Sequence, residues 1–262
     1  MAAPVPQRIL IIKPSSLGDI VHALPLLAAV RRRWPAAHVA WLGGSTFEPL
    51  LAGHPLLDET IPFDRKHYGR MWRSPRALLD FWRLVAGLRR RRFDLVLDLQ
   101  GLFRSGFLSW ASGARRRIGF AAAREFAWLF YTERVRCPDS RRHAVDRNML
   151  LAEAAGLGAG SPEFPLALRE EERRAAREAL RSAGVQGSYA AILPGARWES
   201  KRWTPAGFAA AIAALQAQGL SCVLLGAPDE RDLAAAVVRA CARAALDLTG
   251  RTSLRELSAI LA

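Results

Sequence analysis

Arg8-Ile9-Leu10-Ile11-Ile12-Lys13-Pro14-Ser15-Ser16-Leu17-Gly18-Asp19 is the stretch whose reading decides the fold. Aliphatic residues from Ile9 to Ile12, without alternation, read as a strand buried on both faces. Pro14, two serines and Gly18 then read as a polar loop, and an amphipathic pattern over Ile20–Arg33 predicts a helix ended by Pro35. A buried strand delivering a polar loop to a helix N-terminus is where α/β proteins place ligands, because glycine allows a close backbone approach and the free N–H groups of the first helical turn face the same crevice. Asp19 stands at that junction.

Outward from this stretch, strand and helix patterns alternate. Strands are expected at His38–Leu42, Glu59–Phe63, Asp94–Leu99 and Arg115–Phe120, with helices near Thr46–Leu51, from Pro75 to about Arg91, and over Ala144–Ala155. Gln100-Gly101-Leu102-Phe103-Arg104-Ser105 follows Asp94–Leu99 as the polar loop follows Ile12, so both loops are expected at one sheet edge. Gly156 to Pro165 is the most linker-like segment and divides an expected first domain, residues 1–160, from a second, residues 161–262. The second repeats the alternation. A helix over Glu170–Ser182 precedes a strand at Tyr189–Leu193, and Thr204 with Pro205 opens another helix. A strand at Leu220–Leu225, a helix over Asp232–Arg243, a short strand at Leu246–Leu248 and a helix capped by Ser253 complete the pattern. An end on a helix, with no following strand, suggests a doubly wound domain cut short.

At 262 residues, 51% of them apolar, the chain can bury a substantial core. No apolar run approaches the ~20 residues of a membrane span, and Met1 to Gln7 lacks the layout of a signal peptide, so the cytoplasm is the expected location. Cys137, Cys222 and Cys241 lie far apart, which argues against a disulfide framework and a zinc site. The net charge of +14 is concentrated: residues 1–168 hold 25 Lys and Arg against 14 Asp and Glu. Such a surplus attracts nucleic acid, anionic lipid or phosphorylated substrates. The runs Arg31–Arg33 and Arg89–Arg92 also fall at helix ends, where cations complement the dipole and solvation suffices to explain most of them.

Lys13 through Pro25 resembles the N-terminal signature of the lipopolysaccharide heptosyltransferases, the ADP-heptose glycosyltransferases of family 9, and is most similar to their type I members. The resemblance continues through Asp98-Leu99-Gln100-Gly101-Leu102-Phe103-Arg104-Ser105, Ala123-Arg124-Glu125, Leu129-Phe130-Tyr131 and His143-Ala144-Val145-Asp146-Arg147, and resumes at Lys201-Arg202-Trp203 and Gly226-Ala227-Pro228-Asp229-Glu230. It implies an α/β, GT-B architecture: two Rossmann-like domains facing across a cleft, the first binding acceptor and the second, truncated here, binding nucleotide sugar. The implied reaction is inverting transfer of L-glycero-D-manno-heptose from ADP-heptose to the Kdo of Kdo2-lipid A, at the cytoplasmic face of the inner membrane. The implied partners include that anionic membrane and no nucleic acid or cofactor. Related heptosyltransferases with another core acceptor, and a non-enzymatic polyanion-binding α/β protein, are the alternatives; the second has no recognition-helix or base-stacking signature behind it.

Inverting transfer needs a base for the acceptor hydroxyl and stabilisation of the departing diphosphate. By resemblance Asp19 is the base, although an aspartate at a helix start also serves as a cap. Lys201 and Arg202 are expected at the donor diphosphate, Glu230 at the adenosine ribose; a solvated loop and first-turn dipole complementation explain Lys201 and Glu230 equally simply. Gln100, Arg104, Arg124, Ser16 and Gly18 are the expected acceptor-side residues, guanidinium forks suiting carboxylates and phosphates. No Asp-x-Asp pair occurs, so no metal site is expected. The family's Asp-[Ser/Thr]-Gly loop is expected beyond Ala262, and the chain as it stands is expected to bind donor weakly and turn over little. Tyr68, Met71 and Trp72 are read as exposed candidates for membrane contact or for a substrate-covering loop.

Overall fold

The computed structural model describes residues 4–139, 141–158, 160–196 and 198–262. These form two compact units, residues 1–167 and 168–262. Glu163 and Pro165 stay with the first unit, through the Arg32 guanidinium at 2.9 Å and the His54 ring at 3.0 Å respectively.

The first unit is built on a parallel six-stranded sheet: β1 (Arg8–Ile12), β2 (His38–Gly44), β3 (Glu59–Phe63), β4 (Leu95–Asp98), β5 (Arg116–Phe120) and β6 (Glu133–Val135), in the spatial order β3-β2-β1-β4-β5-β6. β1 is central, pairing Ile9 with Val39 on one side and with Leu95 on the other. Its four aliphatic residues are fully buried, which is why the run shows no alternation. In this order the crossovers diverge between β1 and β4, and their carboxyl ends open a crevice there.

The helices of this unit are α1 (Leu17–Val21), α2 (Leu24–Arg33), α3 (Glu48–Leu51), α4 (Arg65–Tyr68), α5 (Pro75–Arg90), α6 (Phe103–Ala111) and α7 (Ala144–Ala155). The helix expected over Ile20–Arg33 is two helices. Pro25 has no N–H to give an interior turn and instead occupies the first turn of α2, so the chain breaks at His22 and Ala23. Arg31 is more than a solvated helix end: it donates to the carbonyls of Pro35 and Ala37 at 2.9 Å and pairs with Asp58 at 2.6 Å. Arg91 likewise clamps Glu59 with more than one hydrogen bond. Tyr68 and Met71 are half-buried against the core around Phe63 and Phe81, which corrects their reading as exposed; Trp72 is 91% exposed. The reason is α4, a turn capped by Asp64 that folds this segment back onto α5.

The second unit carries a parallel sheet of β7 (Tyr189–Ile192), β8 (Ser221–Leu224) and β9 (Leu246–Asp247) in that order, with α8 (Glu170–Ser182), α9 (Pro205–Ala217), α10 (Arg231–Ala240) and α11 (Leu254–Ile260). One face packs α8 and α11 around Leu180, Val223 and Ile260; the other packs α9 and α10 around Ile212, Leu224 and Val237. Arg255 on α11 grips Glu172 on α8 at 2.5 and 2.7 Å, and holds the Glu172 carboxyl down at about 2. Among the described residues no helix is long and apolar enough to cross a membrane, and all three cysteines are free thiols.

Candidate active site

The floor of the crevice between β1 and β4 is charged and buried. Lys13, 8% exposed, donates its Nζ to the Leu99 carbonyl at 3.1 Å and so ties the end of β1 to the end of β4. Burial pushes its ammonium below the ordinary lysine range, opposed by the negative charges of Asp19 and Asp98. Asp98 is fully buried and accepts from the N–H groups of Gln100 and Gly101 at 2.9 and 3.2 Å and from the Tyr131 hydroxyl at 2.6 Å. Burial raises its carboxyl and, together with the nearby carboxylate, raises the Tyr131 hydroxyl far above its usual value. Gly119 makes room for this: a Cβ there would lie 2.3 Å from the Tyr131 ring. Gly44 serves the neighbouring strand in the same way, since a Cβ would lie 2.3 Å from the Pro14 carbonyl oxygen.

Above that floor, Asp19 at the third position of α1 turns back on Ser16, its Oδ2 accepting from the Ser16 N–H at 2.8 Å and from the Ser16 hydroxyl at 3.1 Å. This is half of a capping box, with Ser16 as the N-cap and Asp19 as its reciprocal partner. Among the described residues the other oxygen, Oδ1, has no hydrogen-bond partner, and Asp19 is partly open to solvent. Gly18 is exposed, and a Cβ added there would meet nothing within 4 Å.

Beside this floor lies a cavity of about 600 Å³ at the carboxyl ends of β1 to β4. Its base is apolar, with Ile12, Leu42, Phe63 and Leu108; its rim carries Arg65, Lys66 and Arg104. Two carboxylates also reach the rim, but backbone N–H groups hold both: Asp64 accepts from Lys66 and His67 at 2.9 Å, and Glu125 accepts from Phe103 at 3.2 Å. Three cations against these two carboxylates leave the rim one positive charge in excess, an arrangement that can take an anionic ligand. Gln100 and Arg104 line this cavity; Asp19, Ser16, Gly18 and Arg124 do not. The Gln100 Oε1 is buried and has no hydrogen-bond partner among the described residues. Arg124 is exposed, its N–H donating to the Gly101 carbonyl at 3.0 Å, and its charge reaches Lys13. Arg65 and Lys66 escaped sequence reasoning because nothing in the Arg- and aromatic-rich run after β3 distinguishes a cavity wall from a solvated loop.

In the second unit the carboxyl ends of β7 and β8 converge on Glu230. Its carboxylate accepts from the Ala227 N–H at 2.8 Å and lies against bare backbone: a Cβ on Gly195 would stand 1.8 Å from it, and one on Gly226 2.6 Å. Glu230 is thus both a local cap and the acidic group of this sheet edge. Lys201 is exposed at the end of a short helical turn, Glu199–Lys201, in the loop after β7. Arg202 folds that loop back by donating its Nε to the Ala196 carbonyl at 2.8 Å, which leaves its terminal nitrogens for other partners. The Thr249 hydroxyl, buried after β9 and without a hydrogen-bond partner among the described residues, belongs to the same edge and was not anticipated from the sequence. Among the described residues no cluster of His, Cys, Asp or Glu could hold a metal ion.

Comparison with known proteins brings these features together. The sequence profile of Glycosyltransferase family 9 (heptosyltransferase) matches residues 81–262. The lipopolysaccharide core heptosyltransferase OpsX of Haemophilus influenzae is 26% identical over 260 residues, 98% of this chain and 71% of that protein. Lipopolysaccharide heptosyltransferase 1 of Pseudomonas aeruginosa is 30% identical over 205 residues, 76% of this chain; the matched chain spans about half, 55%, of that relative's length. The Escherichia coli heptosyltransferase WaaC, solved with ADP-2-deoxy-2-fluoro heptose, superposes with a TM-score of 0.76 at 26% identity, over 97% of this chain and 79% of that one.

Proposed function

Because the chain belongs to glycosyltransferase family 9, we propose that the protein transfers heptose from ADP-heptose to the lipopolysaccharide core, with the Kdo of Kdo2-lipid A as acceptor. The observation that carries this reading is the state of Asp19: one carboxylate oxygen is fixed by Ser16, and the other, on a partly exposed residue, has no hydrogen-bond partner among the described residues. A general base needs that combination of a locked orientation and an available lone pair.

In this reading Asp19 Oδ1 takes the proton of the attacking acceptor hydroxyl as the oxygen approaches the anomeric carbon from the side opposite the diphosphate. Ser16 and Gly18 shape the approach, Ser16 by holding Oδ2 and Gly18 by leaving open space beside the carboxylate. Lys13 ties the β1 loop to the β4 loop beneath Asp19. The acceptor occupies the cavity, with Gln100 hydrogen-bonding it and Arg104 pairing with a Kdo carboxylate; Arg65 and Lys66 add charge, and Arg124 contacts the acceptor from outside the cavity. In the second unit Glu230 accepts from the adenosine ribose, while Lys201 and the terminal nitrogens of Arg202 neutralise charge as it develops on the leaving ADP. No step calls for a metal. An acceptor carried by a lipid places the enzyme at the cytoplasmic face of the inner membrane, in keeping with the basic first 168 residues.

The test is acceptor-dependent ADP release from ADP-heptose by the full-length protein, with Kdo2-lipid A, beside Asp19→Ala. Release that requires acceptor and collapses in the variant is expected. ADP binding without release on Kdo2-lipid A, but with release on a further-elongated core, would reassign the acceptor to that of another heptosyltransferase type. Absence of ADP binding would sink the transferase reading.

A further inference from the structure

The outer face of α5 carries a second apolar stripe that the core does not use. Ala77, Phe81 and Leu88 point inward, whereas Leu78, Leu79 and Trp82 are exposed, Trp82 by 52%. At 100° per residue Leu79 lies opposite Leu88, Trp82 about 120° and Leu78 about 80° from it, with Arg76 and Arg90 beside Leu79. Arg83 stands in the same row but is paired with Asp80 at 2.9 Å. Beneath the surface, the core rings Phe81 and Phe107 link the stripe to α6, Trp82 to Phe81 at 6.0 Å, Phe81 to Phe107 at 6.0 Å and Phe107 to Trp110 at 5.7 Å, and Trp110 is again 52% exposed. Trp72 projects just ahead of α5.

Where the C-terminal ends of α5 and α6 meet, a second hollow of about 430 Å³ opens, lined by Arg89, Arg92 and Arg115. Its one carboxylate, Asp94, is taken by the N–H groups of Gln7 and Arg8, both at 2.9 Å. Among the described residues none of the three arginines is in an ion pair, and three guanidinium groups against the single Asp94 carboxylate leave the hollow with two positive charges in excess. This is the opposite sheet edge from the acceptor cavity, the amino ends of β4 and β5, so the transfer reaction does not account for it.

We propose that this face lies on a bilayer of anionic phospholipid, with Trp82, Trp110 and Leu78 at the headgroup boundary and a lipid phosphate in the three-arginine hollow. Indoles settle at the interface without crossing it, and guanidinium forks match phosphate oxygens. Charge complementarity selects the partner: an apolar strip that ends in Arg89, Arg92 and Arg115, outnumbering the Asp94 carboxylate beside them, fits a negatively charged lipid surface better than a neutral one. The assignment deepens the reading of a glycolipid acceptor and rests on it for its biological setting.

The experiment is co-sedimentation of the full-length protein with vesicles of phosphatidylglycerol and phosphatidylethanolamine, and with phosphatidylcholine vesicles, alongside heptosyl transfer to a delipidated, water-soluble Kdo acceptor. Wild type should bind the anionic vesicles only. The triple variant R89Q/R92Q/R115Q should bind about 100-fold more weakly, and Trp82→Ser and Trp110→Ser about tenfold each. All variants should retain wild-type thermal melting and wild-type transfer to the soluble acceptor. Wild-type binding that is absent, or undiminished in the triple and tryptophan variants, overturns the surface while transfer to the soluble acceptor leaves the enzymatic reading standing. Binding as expected without any transfer does the reverse. Vesicle binding displaced by a single-stranded oligonucleotide that binds equally well to Trp82→Ser would make the face a polyanion site and overturn the lipid assignment.

Discussion

Tyr131→Phe removes one hydroxyl from beneath the crevice of the first unit, and the structure sets what that should cost. Asp98 is fully buried; its Oδ1 is held by two backbone N–H groups and its Oδ2 by the tyrosine hydroxyl at 2.6 Å. A hydrogen bond to a charged group contributes about 1.5–3 kcal/mol, and this one serves a fully buried carboxylate, so a loss of about 2 kcal/mol is expected. The loss should depend on pH. Burial raises the Asp98 carboxyl above the ordinary range, while the hydroxyl works against that rise. A carboxyl raised on folding stabilises most below its unfolded pKa, and that contribution is lost as pH rises toward the folded value. Deleting the hydroxyl lifts the folded value further and prolongs the decline, so the deficit should be larger at about pH 8 than at about pH 5. Urea unfolding followed through tryptophan fluorescence, to which the buried Trp41 contributes, measures it. Gly119→Ala should produce the same lesion more severely, by driving a methyl group into the Tyr131 ring. A Tyr131→Phe protein as stable as wild type at about pH 8, or with its deficit larger at about pH 5, would falsify the account of a buried carboxylate held by that hydroxyl.

Other expectations follow from the same geometry. Asp19→Asn should lower the transfer rate by about 10²–10⁴-fold while leaving ADP affinity unchanged; isothermal titration with ADP separates the two effects, and a rate within threefold of wild type would dismiss Asp19 as base. Gly195→Ala should displace Glu230, since the new methyl carbon would stand 1.8 Å from its carboxylate, and weaken ADP binding by about tenfold, the worth of one hydrogen bond; unchanged affinity would remove Glu230 from the donor site. The Glu172 carboxyl, held at about 2 by Arg255, lies below its unfolded value, so its contribution is present above the ordinary glutamate range and lost as pH falls toward about 2. Exposure discounts that contribution to at most ~1 kcal/mol, and wild type and Arg255→Gln should therefore converge in stability on acidification; a gap that persists at about pH 2 would exclude the ion pair as its source.

The sequence is most informative where one residue type has one physical use. Continuous burial made β1 and β4 visible as aliphatic runs, and Thr204 with Pro205 marked the start of α9 because a capping hydroxyl and a residue without an N–H suit that place. β6 was not legible: Glu133–Val135 is a three-residue edge strand with no apolar period. Pro25 carried the signal for the break between α1 and α2, but the amphipathic pattern runs across it. At the site, Gln100 and Arg104 could be anticipated from the loop after β4, whereas Arg65 and Lys66 reach the same cavity from the far side of β2. The Tyr131 to Asp98 bond spans 33 residues and depends on the absence of a side chain at Gly119. Periodicity registers neither kind of relation.

The central position of β1 also bears on how the chain is made. The strand that completes its pairing and the carbonyl that receives the Lys13 ammonium are separated from it by 86 residues. At ~5–20 residues per second, roughly 4–17 s of synthesis pass between the emergence of Lys13 and that of Leu99. Through that interval a strand with four consecutive aliphatic residues has β2 on one side and nothing on the other, the kind of bare edge to which other extended chains add. The strand order that puts the crevice at the middle of the sheet therefore makes it the last place in that sheet's centre to close, and makes the nascent chain most open to mispairing just before the crevice exists.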